Sequence, residues 1–251
     1  MYANYHTHTF RCGHARGTEE EYIKRAIEGG IKIMGFSDHV PFAFENGREQ
    51  SYCIQTCEAE NYVSTLKALR EKYKDDIKIH IGFEMEYYPK YFEAMHSYVK
   101  SLGAEYLILG QHFVGDPFGH HSMGCQDDPI KLHEYVDCVT AGLKTGAFKY
   151  VAHPDIFIYG IDDKIYHDEI TRLCNAAKET DIPLEINFLG IRENRFYPYE
   201  LFWRIAGEIG CKAILGFDAH DIKDAFDGDS IQRAEEIVSK YGLQLVNELE
   251  I

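Results

Sequence analysis

Nine side chains of a kind that binds metal ions run from near the start of this chain almost to its end: His6, His8, His14, His39, Glu84, His112, His153, Asp218 and His220. His6 and His8 are two residues apart, so on an extended strand both imidazoles face the same side. Two imidazoles on one face can serve one ion or two neighbouring ones. A lone histidine is more often a satisfied core or surface residue than a ligand, and His80, His96, His120, His121, His133 and His167 are read that way. His120 and His121 fall in a polar loop from which a side chain can approach a substrate. Neutral imidazoles with carboxylates suit zinc, iron or manganese better than calcium or magnesium. No cysteine has a convincing ligand position. The seven lack a C-x-x-C pair; Cys12 lies nearest the histidines, and all are read as reduced thiols.

These ligands must be positioned by elements distant from one another in the chain. Strand-like runs at residues 2–7, 31–37, 77–85, 106–111, 149–152, 184–187 and 213–217 alternate with helix-like runs. The first helix opens on a capping-box pair, Thr18 and Glu21, and is stopped by Gly29 and Gly30. Later helices are expected over 55–73, 90–102, 130–145, 168–179, 199–209 and 230–241, with a last extended piece at 243–246. Residues 113–128 read as a polar loop long enough to form a lid or wall. Alternation of this kind implies a mainly parallel sheet with helices outside, closed as a barrel related to the (β/α)8 type. An open doubly wound sheet is the other architecture this order allows. No G-x-G-x-x-G follows the first strand, which counts against its dinucleotide-binding version.

The candidate ligands fall at one end of that arrangement. His6 and His8 close the first expected strand, His39 follows the second, and Glu84 ends the third. His112 and His153 end the fourth and fifth, and Asp218 and His220 follow the seventh. Barrel enzymes place their chemistry at these C-terminal strand ends. His14 joins the set from the first loop.

With 251 residues, 45% of them hydrophobic, residues 1–251 are expected to form a single domain with a well-buried core. The net charge of −15 argues against a long polyanion, and hence against nucleic acid, as partner. It does not oppose a small phosphorylated substrate, because bound metal ions add positive charge locally. No apolar run is long enough to span a membrane, and the first residues lack the features of a signal peptide, so a cytoplasmic location is expected.

The order of the motifs resembles the PHP (polymerase and histidinol phosphatase) superfamily. His6-Thr7-His8-Thr9-Phe10-Arg11-Cys12-Gly13-His14 is similar to its first motif, Ser37-Asp38-His39 to its second and Gly82-Phe83-Glu84 to its third. Gly110-Gln111-His112-Phe113, His153-Pro154-Asp155 and Asp218-Ala219-His220 resemble the later ones. The run Glu185-Ile186-Asn187-Phe188-Leu189-Gly190-Ile191-Arg192, followed by Tyr197-Pro198, resembles the stand-alone histidinol-phosphate phosphatase branch. The resemblance implies a distorted (β/α)7 barrel, TIM-barrel-like, with three divalent metal ions. It assigns His6, His8, Glu84 and Asp218 to one ion. Glu84 bridges to a second, held with His112 and His153, and His14, His39 and His220 hold the third. It implies L-histidinol phosphate as substrate, in histidine biosynthesis. Gln111 stands where the branch commonly has a small residue and Phe217 where serine is common. Both bear on the pocket rather than on the ligands.

A phosphate monoester is hydrolysed only if its charge is neutralised and a nucleophile is supplied, and clustered divalent metals do both. The expected reaction is in-line attack of a metal-bridging hydroxide on phosphorus. Asp218, His220 or a metal-bound water then returns a proton to the leaving alkoxide. Arg192 is expected to take the phosphate bidentately, with Arg195 second and Asn187 as a polar helper. Arg11 and Arg16, beside the first motif, are weaker candidates. Asp227-Gly228-Asp229 superficially resembles an aspartyl phosphatase nucleophile motif, but no buried strand precedes it, so it reads as a turn. Three other functions are weighed: a phosphoesterase for a nucleotide or sugar phosphate, an amide or ring hydrolase, and a metal-binding or DNA-polymerase accessory module. The hydrolase reading expects a carboxylated lysine or another bridging group at a strand end, and no lysine stands in such a place. The acidic charge and the lack of an attached domain count against the accessory module.

Overall fold

The strands of the main sheet are joined by segments that return the chain to the same end, which is what parallel pairing requires. The computed structural model describes residues 1–157, 160 and 162–251. In chain order the elements are β1 (Ala3–Asn4), α1 (Glu19–Glu28), β2 (Ile33–Phe36), α2 (Ala59–Lys72), β3 (Lys78–Met85), α3 (Phe92–Leu102) and β4 (Tyr106–Leu109). A small hairpin follows, β5 (Phe113–Val114) and β6 (His120–His121), and then α4 (Pro129–Lys144) and α5 (Asp163–Glu179). The chain ends with β7 (Leu184–Asn187), α6 (Phe188–Arg192), α7 (Glu200–Ile209), β8 (Lys212–Gly216), α8 (Gly228–Tyr241) and β9 (Gln244–Val246).

Strands β1, β2, β3 and β4 pair in parallel in that order, and β7 pairs in parallel with β8. Val151 joins the two sets through parallel bridges to Leu109 and Leu184. A further parallel bridge, Thr7 to Ala219, links the ends of β1 and β8, with His8 N donating to Ala219 O at 3.0 Å. The sheet therefore curls into the expected barrel-like ring. Its distortion has a local cause: the lower part of β8 pairs with β9 instead of β1. The expected fifth strand survives as Val151 alone in the ladder. The first pairs only at Ala3 and Asn4 and again at Thr7.

Side-chain alternation divides the strands' residues between two buried clusters. Ala3, Tyr5, Ile33, Tyr106, Ile108, Tyr150, Ala152 and Ile214 form a compact cluster of their own. The alternate residues, among them Met34, Ile81, Leu107, Val151, Ile186 and Leu215, belong to the larger cluster shared with the helices. Strands buried on both faces read as continuous apolar runs, which is why the sequence displays them clearly. Inside the smaller cluster the Tyr106 hydroxyl lies 2.7 Å from Tyr5 O, to which it donates, and 3.0 Å from Phe36 O.

Several expectations need adjusting at element ends. The Thr18–Glu21 capping box opens α1 as the sequence suggested. Helix α5 starts at Asp163 rather than 168, because Asp162 caps it by accepting from Lys164 N and Ile165 N. Asp163, Lys164 and Ile165 are exposed, so the apolar period fails to mark its start. Asp227-Gly228-Asp229 is not a free-standing turn: Asp227 is the N-cap of α8, accepting from Ser230 N. The segment 113–128 is not all loop, since it holds the β5–β6 hairpin with Phe113 opposite His121 and a 3-10 turn at Ser122–Gly124. Two-residue strands are too short to show a period. Among the described residues, no helix is long and apolar enough to cross a membrane.

Replacing Tyr106 with Phe removes the hydroxyl that serves the carbonyls of Tyr5 and Phe36. The expected cost is about 1–2 kcal/mol of stability, read as a lower urea midpoint with unchanged slope. An unchanged midpoint would contradict this role.

Candidate metal centre

The ends of the strands deliver the candidate ligands to one place. His6 and His8 follow β1, and Glu84 lies in β3. His39, just beyond β2, is paired with Glu84 through a parallel bridge. His112 joins β4 to β5, His153 follows the Val151 bridge, and Asp218 and His220 follow β8. His14 arrives from the 3-10 turn Phe10–Cys12. His6, His8, His39, Glu84, His153 and Asp218 are buried, and His14 is the exposed member.

Four donor atoms define the deepest group. His6 Nε2 and His8 Nε2 are 3.1 Å apart. Each lies 3.3–3.5 Å from Glu84 Oε2 and from Asp218 Oδ1. Metal–nitrogen and metal–oxygen bonds of about 2.0–2.2 Å in tetrahedral sites separate neighbouring donors by about 3.3–3.5 Å. The other oxygen of the same carboxylate, Glu84 Oε1, is 2.8 Å from His153 Nε2 and 3.6 Å from His112 Nε2. Glu84 thus faces two donor groups at once.

A third group is recognised by its tautomers. His14 Nδ1 is 2.9 Å from Cys12 O, and His220 Nδ1 is 3.2 Å from Asp218 O. Carbonyls only accept, so in the neutral rings both Nδ1 atoms carry hydrogen and both Nε2 atoms present lone pairs. Those two Nε2 atoms are 2.9 Å apart, an arrangement that calls for a cation between them. His39 stands between the groups, with Nδ1 3.2 Å from Glu84 Oε2 and its ring 4.5 Å from that of His8. Donor atoms of His8, His39 and His220 fall within 4.8 Å of one another. Cys12 Sγ donates to Thr9 O at 3.1 Å and lies 3.9 Å from His14 Nε2.

The residues fit metal ions on independent grounds. Glu84 Oε2, Asp218 Oδ1, His8 Nδ1 and His153 Nδ1 are buried without a hydrogen-bond partner among the described residues, a costly state for polar atoms unless a ligand satisfies them. Gly110 and Gly216 supply the room: a Cβ on Gly110 would stand 1.8 Å from Glu84 Oε1, and one on Gly216 would stand 1.7 Å from Glu185 Oε1. His153 (φ 30°) and Asp218 (φ 46°) adopt positive φ without being glycine, a backbone strain that concentrates at functional sites.

Protonation in the metal-free chain follows from this crowding. Burial opposes charging His6, but the negative charges of Glu185, Asp218 and Glu84 outweigh it and raise its pKa to about 10. Burial likewise opposes ionisation of Glu84, yet His39, His112 and His6 hold its carboxyl well below the usual range. Asp218 is depressed in the same way, with His6 and His8 outweighing burial.

Supporting residues hold the ligands. Glu185, which sequence reasoning missed, accepts from His6 Nδ1 at 2.7 Å, from His153 N at 2.9 Å and from Asn187 Nδ2 at 2.8 Å. Glu86, also missed, lies 3.1 Å from His112 Nδ1 and accepts from the Tyr52 hydroxyl at 3.1 Å. Both follow the strand period, two residues from Asn187 and Glu84, and that spacing was the available signal. Carboxylates of this kind fix the tautomer and orientation of ligand histidines.

The three expected substrate contacts separate. A cavity of about 390 Å³ opens over the donor atoms, lined in part by Tyr52, His121, Glu193, Arg195 and Tyr197. Arg195 is in its wall. Arg192 is not: its guanidinium donates to Phe217 O at 2.8 Å and Asp218 O at 3.1 Å, and Nε lies 3.3 Å from Asp224. It braces the strained turn that carries Asp218 rather than facing a substrate. Asn187 lies beneath the ligands, donating to Asp218 Oδ2 at 3.0 Å and accepting from Gly190 N to cap α6.

A barrel-like sheet whose strand ends converge on imidazoles and carboxylates defines an α/β protein with a candidate metal centre. The sequence profile of the PHP domain matches residues 4–188, and the chain belongs to that family. It is similar to a probable histidinol-phosphatase of Deinococcus radiodurans, 23% identical over 86% of this chain and 85% of the relative. A histidinol-phosphatase of Bacillus subtilis is 22% identical over 87% of this chain and 93% of the relative. The fold is similar to that of a histidinol phosphate phosphatase from Lactococcus lactis, whose crystal structure holds zinc, L-histidinol and phosphate. The TM-score is 0.75 at 19% identity, covering 100% of this chain and 99% of that one.

Two outcomes are expected. Gly110→Ala displaces the Glu84 carboxylate, so the variant keeps its circular dichroism spectrum but binds fewer metal ions per chain by elemental analysis; full metal content would refute this close approach. His6 with a folded pKa of about 10 stays protonated in the metal-free chain at pH 7. The stability it contributes is complete below its unfolded pKa of about 6.5 and lost as pH rises through the folded value. Zinc added to metal-free protein at pH 7 in dilute buffer therefore displaces protons, detected with an indicator dye. Binding without proton release would count against this charge state.

Proposed function

We propose that this chain is a metal-dependent phosphomonoester hydrolase that acts on L-histidinol phosphate in histidine biosynthesis. The observation that carries the reading is Glu84, whose two oxygens face separate donor groups under one cavity. Its relatives named as histidinol-phosphatases support the ester, and the zinc, L-histidinol and phosphate held by the Lactococcus protein support the class of ligand. Three divalent ions are assigned: one to His6, His8, Glu84 and Asp218, one to Glu84, His112 and His153, and one to His14, His39 and His220. Zinc, manganese and iron all suit this donor set. The family match ends at residue 188, yet Asp218 and His220 from beyond it complete the site, so we read residues 1–251 as one catalytic domain. The free thiols suit a reducing, cytoplasmic setting.

Bound divalent ions would activate water and neutralise phosphoryl charge. The chain's own groups do the rest. Asp218, held ionised among histidines, accepts a proton from the attacking water and returns it to the leaving alkoxide. His220 Nδ1, bonded to Asp218 O at 3.2 Å, fixes the backbone that carries this carboxylate. Asn187 fixes its second oxygen. Arg195, steadied by Glu193 and by the Tyr197 hydroxyl at 3.1 Å, takes the phosphate from the cavity wall.

A panel of phosphomonoesters tests the reading. The metal-loaded chain should prefer histidinol phosphate in kcat/KM, and His153→Ala should lose turnover while staying folded. Comparable kcat/KM for several unrelated esters would sink the histidinol assignment, and unchanged activity in His153→Ala would defeat the site.

A further inference from the structure

His121 is a wall residue that no ligand assignment uses. It stands on β6 opposite Phe113, with the two rings 5.3 Å apart, and its ring lies 6.4 Å from that of the candidate ligand His112. The amide of Met123 donates to His121 Nδ1 at 3.2 Å. An Nδ1 that accepts carries no hydrogen, so the ring is neutral and its hydrogen sits on Nε2. Among the described residues, no protein group accepts from that Nε2. His121 lines the cavity together with Arg195 and Tyr197.

The hairpin is fastened to the candidate ligand itself. Ser122 N donates to His112 O at 2.7 Å, and the Ser122 hydroxyl lies 3.0 Å from both Gln111 O and His112 O. Gln111, buried, accepts from Tyr87 N at 2.9 Å and donates to Phe113 O at 2.8 Å. Its amide thereby holds β5, and through it β6, against the site. A small residue at this position could not make those two bonds.

We infer that His121 Nε2–H is a phosphate-binding donor that acts beside Arg195 on a non-bridging oxygen of the bound ester, with Gln111 as the residue that positions it. The inference rests on the phosphoesterase reading above. A neutral donor suits this place, because it adds a hydrogen bond to the dianion without adding a cation next to His112 and Arg195.

The test compares binding of inorganic phosphate with binding of L-histidinol, the product alcohol, to the zinc-loaded protein, alongside turnover of an alkyl and an aryl phosphate. His121→Ala should weaken phosphate binding about 10- to 100-fold, leave L-histidinol binding and metal content unchanged, and lower kcat/KM equally for both esters. His121→Gln, which keeps a donor, should recover part of the loss, and Gln111→Ser should show a smaller loss of the same kind. His120→Ala, on the opposite face of the same strand, is the control and should match the parent. Unchanged phosphate binding in His121→Ala overturns the inference, and so does a loss confined to the alkyl ester, which would put His121 on the leaving group. Failure of the parent protein to hydrolyse either ester would strike the phosphoesterase reading instead.

Discussion

The carboxylate of Glu84 is the constraint from which the rest of this structure follows. It is buried, with imidazoles facing both oxygens, and burying an ion is costly unless opposite charge and hydrogen bonds surround it. No short stretch of chain can supply such a shell. It draws on His6 and His8 after β1, His39 after β2, His112 after β4 and His153 after the Val151 bridge, and a ring of parallel strands is the economical way to bring them together. The bare Cα of Gly110 and the positive φ of His153 and Asp218 are local concessions to the same requirement.

Around that centre the network is stiffened mainly by carboxylates and amides that touch the ligands from behind. Glu185 alone holds His6, the backbone of His153 and the amide of Asn187, and Asn187 in turn holds Asp218. Arg192 completes this layer from outside the ring by bonding the carbonyls of Phe217 and Asp218. A guanidinium is well suited to brace a strained turn, because its donors are rigidly splayed. The strained turn at Asp218 is thus held by Asn187 at its carboxylate and by Arg192 at its carbonyl. This is also why the positively charged side chain nearest in sequence to β7 is not the one in the cavity wall.

The acidic surface and the site obey different local rules. A net charge of −15 describes the whole chain, whereas the cavity brings histidines and Arg195 together above two buried carboxylates. The cavity wall beside His112 is partly built by the short β5–β6 hairpin, whose place depends on the backbone of His112 and the side chain of Gln111. The same segment therefore carries a candidate ligand and shapes the pocket.

Much of this was legible in the sequence because strands buried on both faces leave apolar runs, and because ligand-type residues at the ends of those runs stand out against them. The nine candidate ligands, the barrel-like class and the capping box of α1 follow from such local patterns. Element ends were less legible where a cap outweighed the apolar period, as at Asp162 and Asp227. What only the tertiary structure decided are relations across the ring. Glu185 meets His6 across 179 residues. Arg192 turns to the backbone while Arg195, three residues on, reaches the cavity. His121 rather than His120 faces the site, because a two-residue strand sends neighbouring side chains to opposite sides. Side-chain type and spacing are set along the chain, but which atoms face one another is set by ring closure, and that is where the chemistry of the site resides.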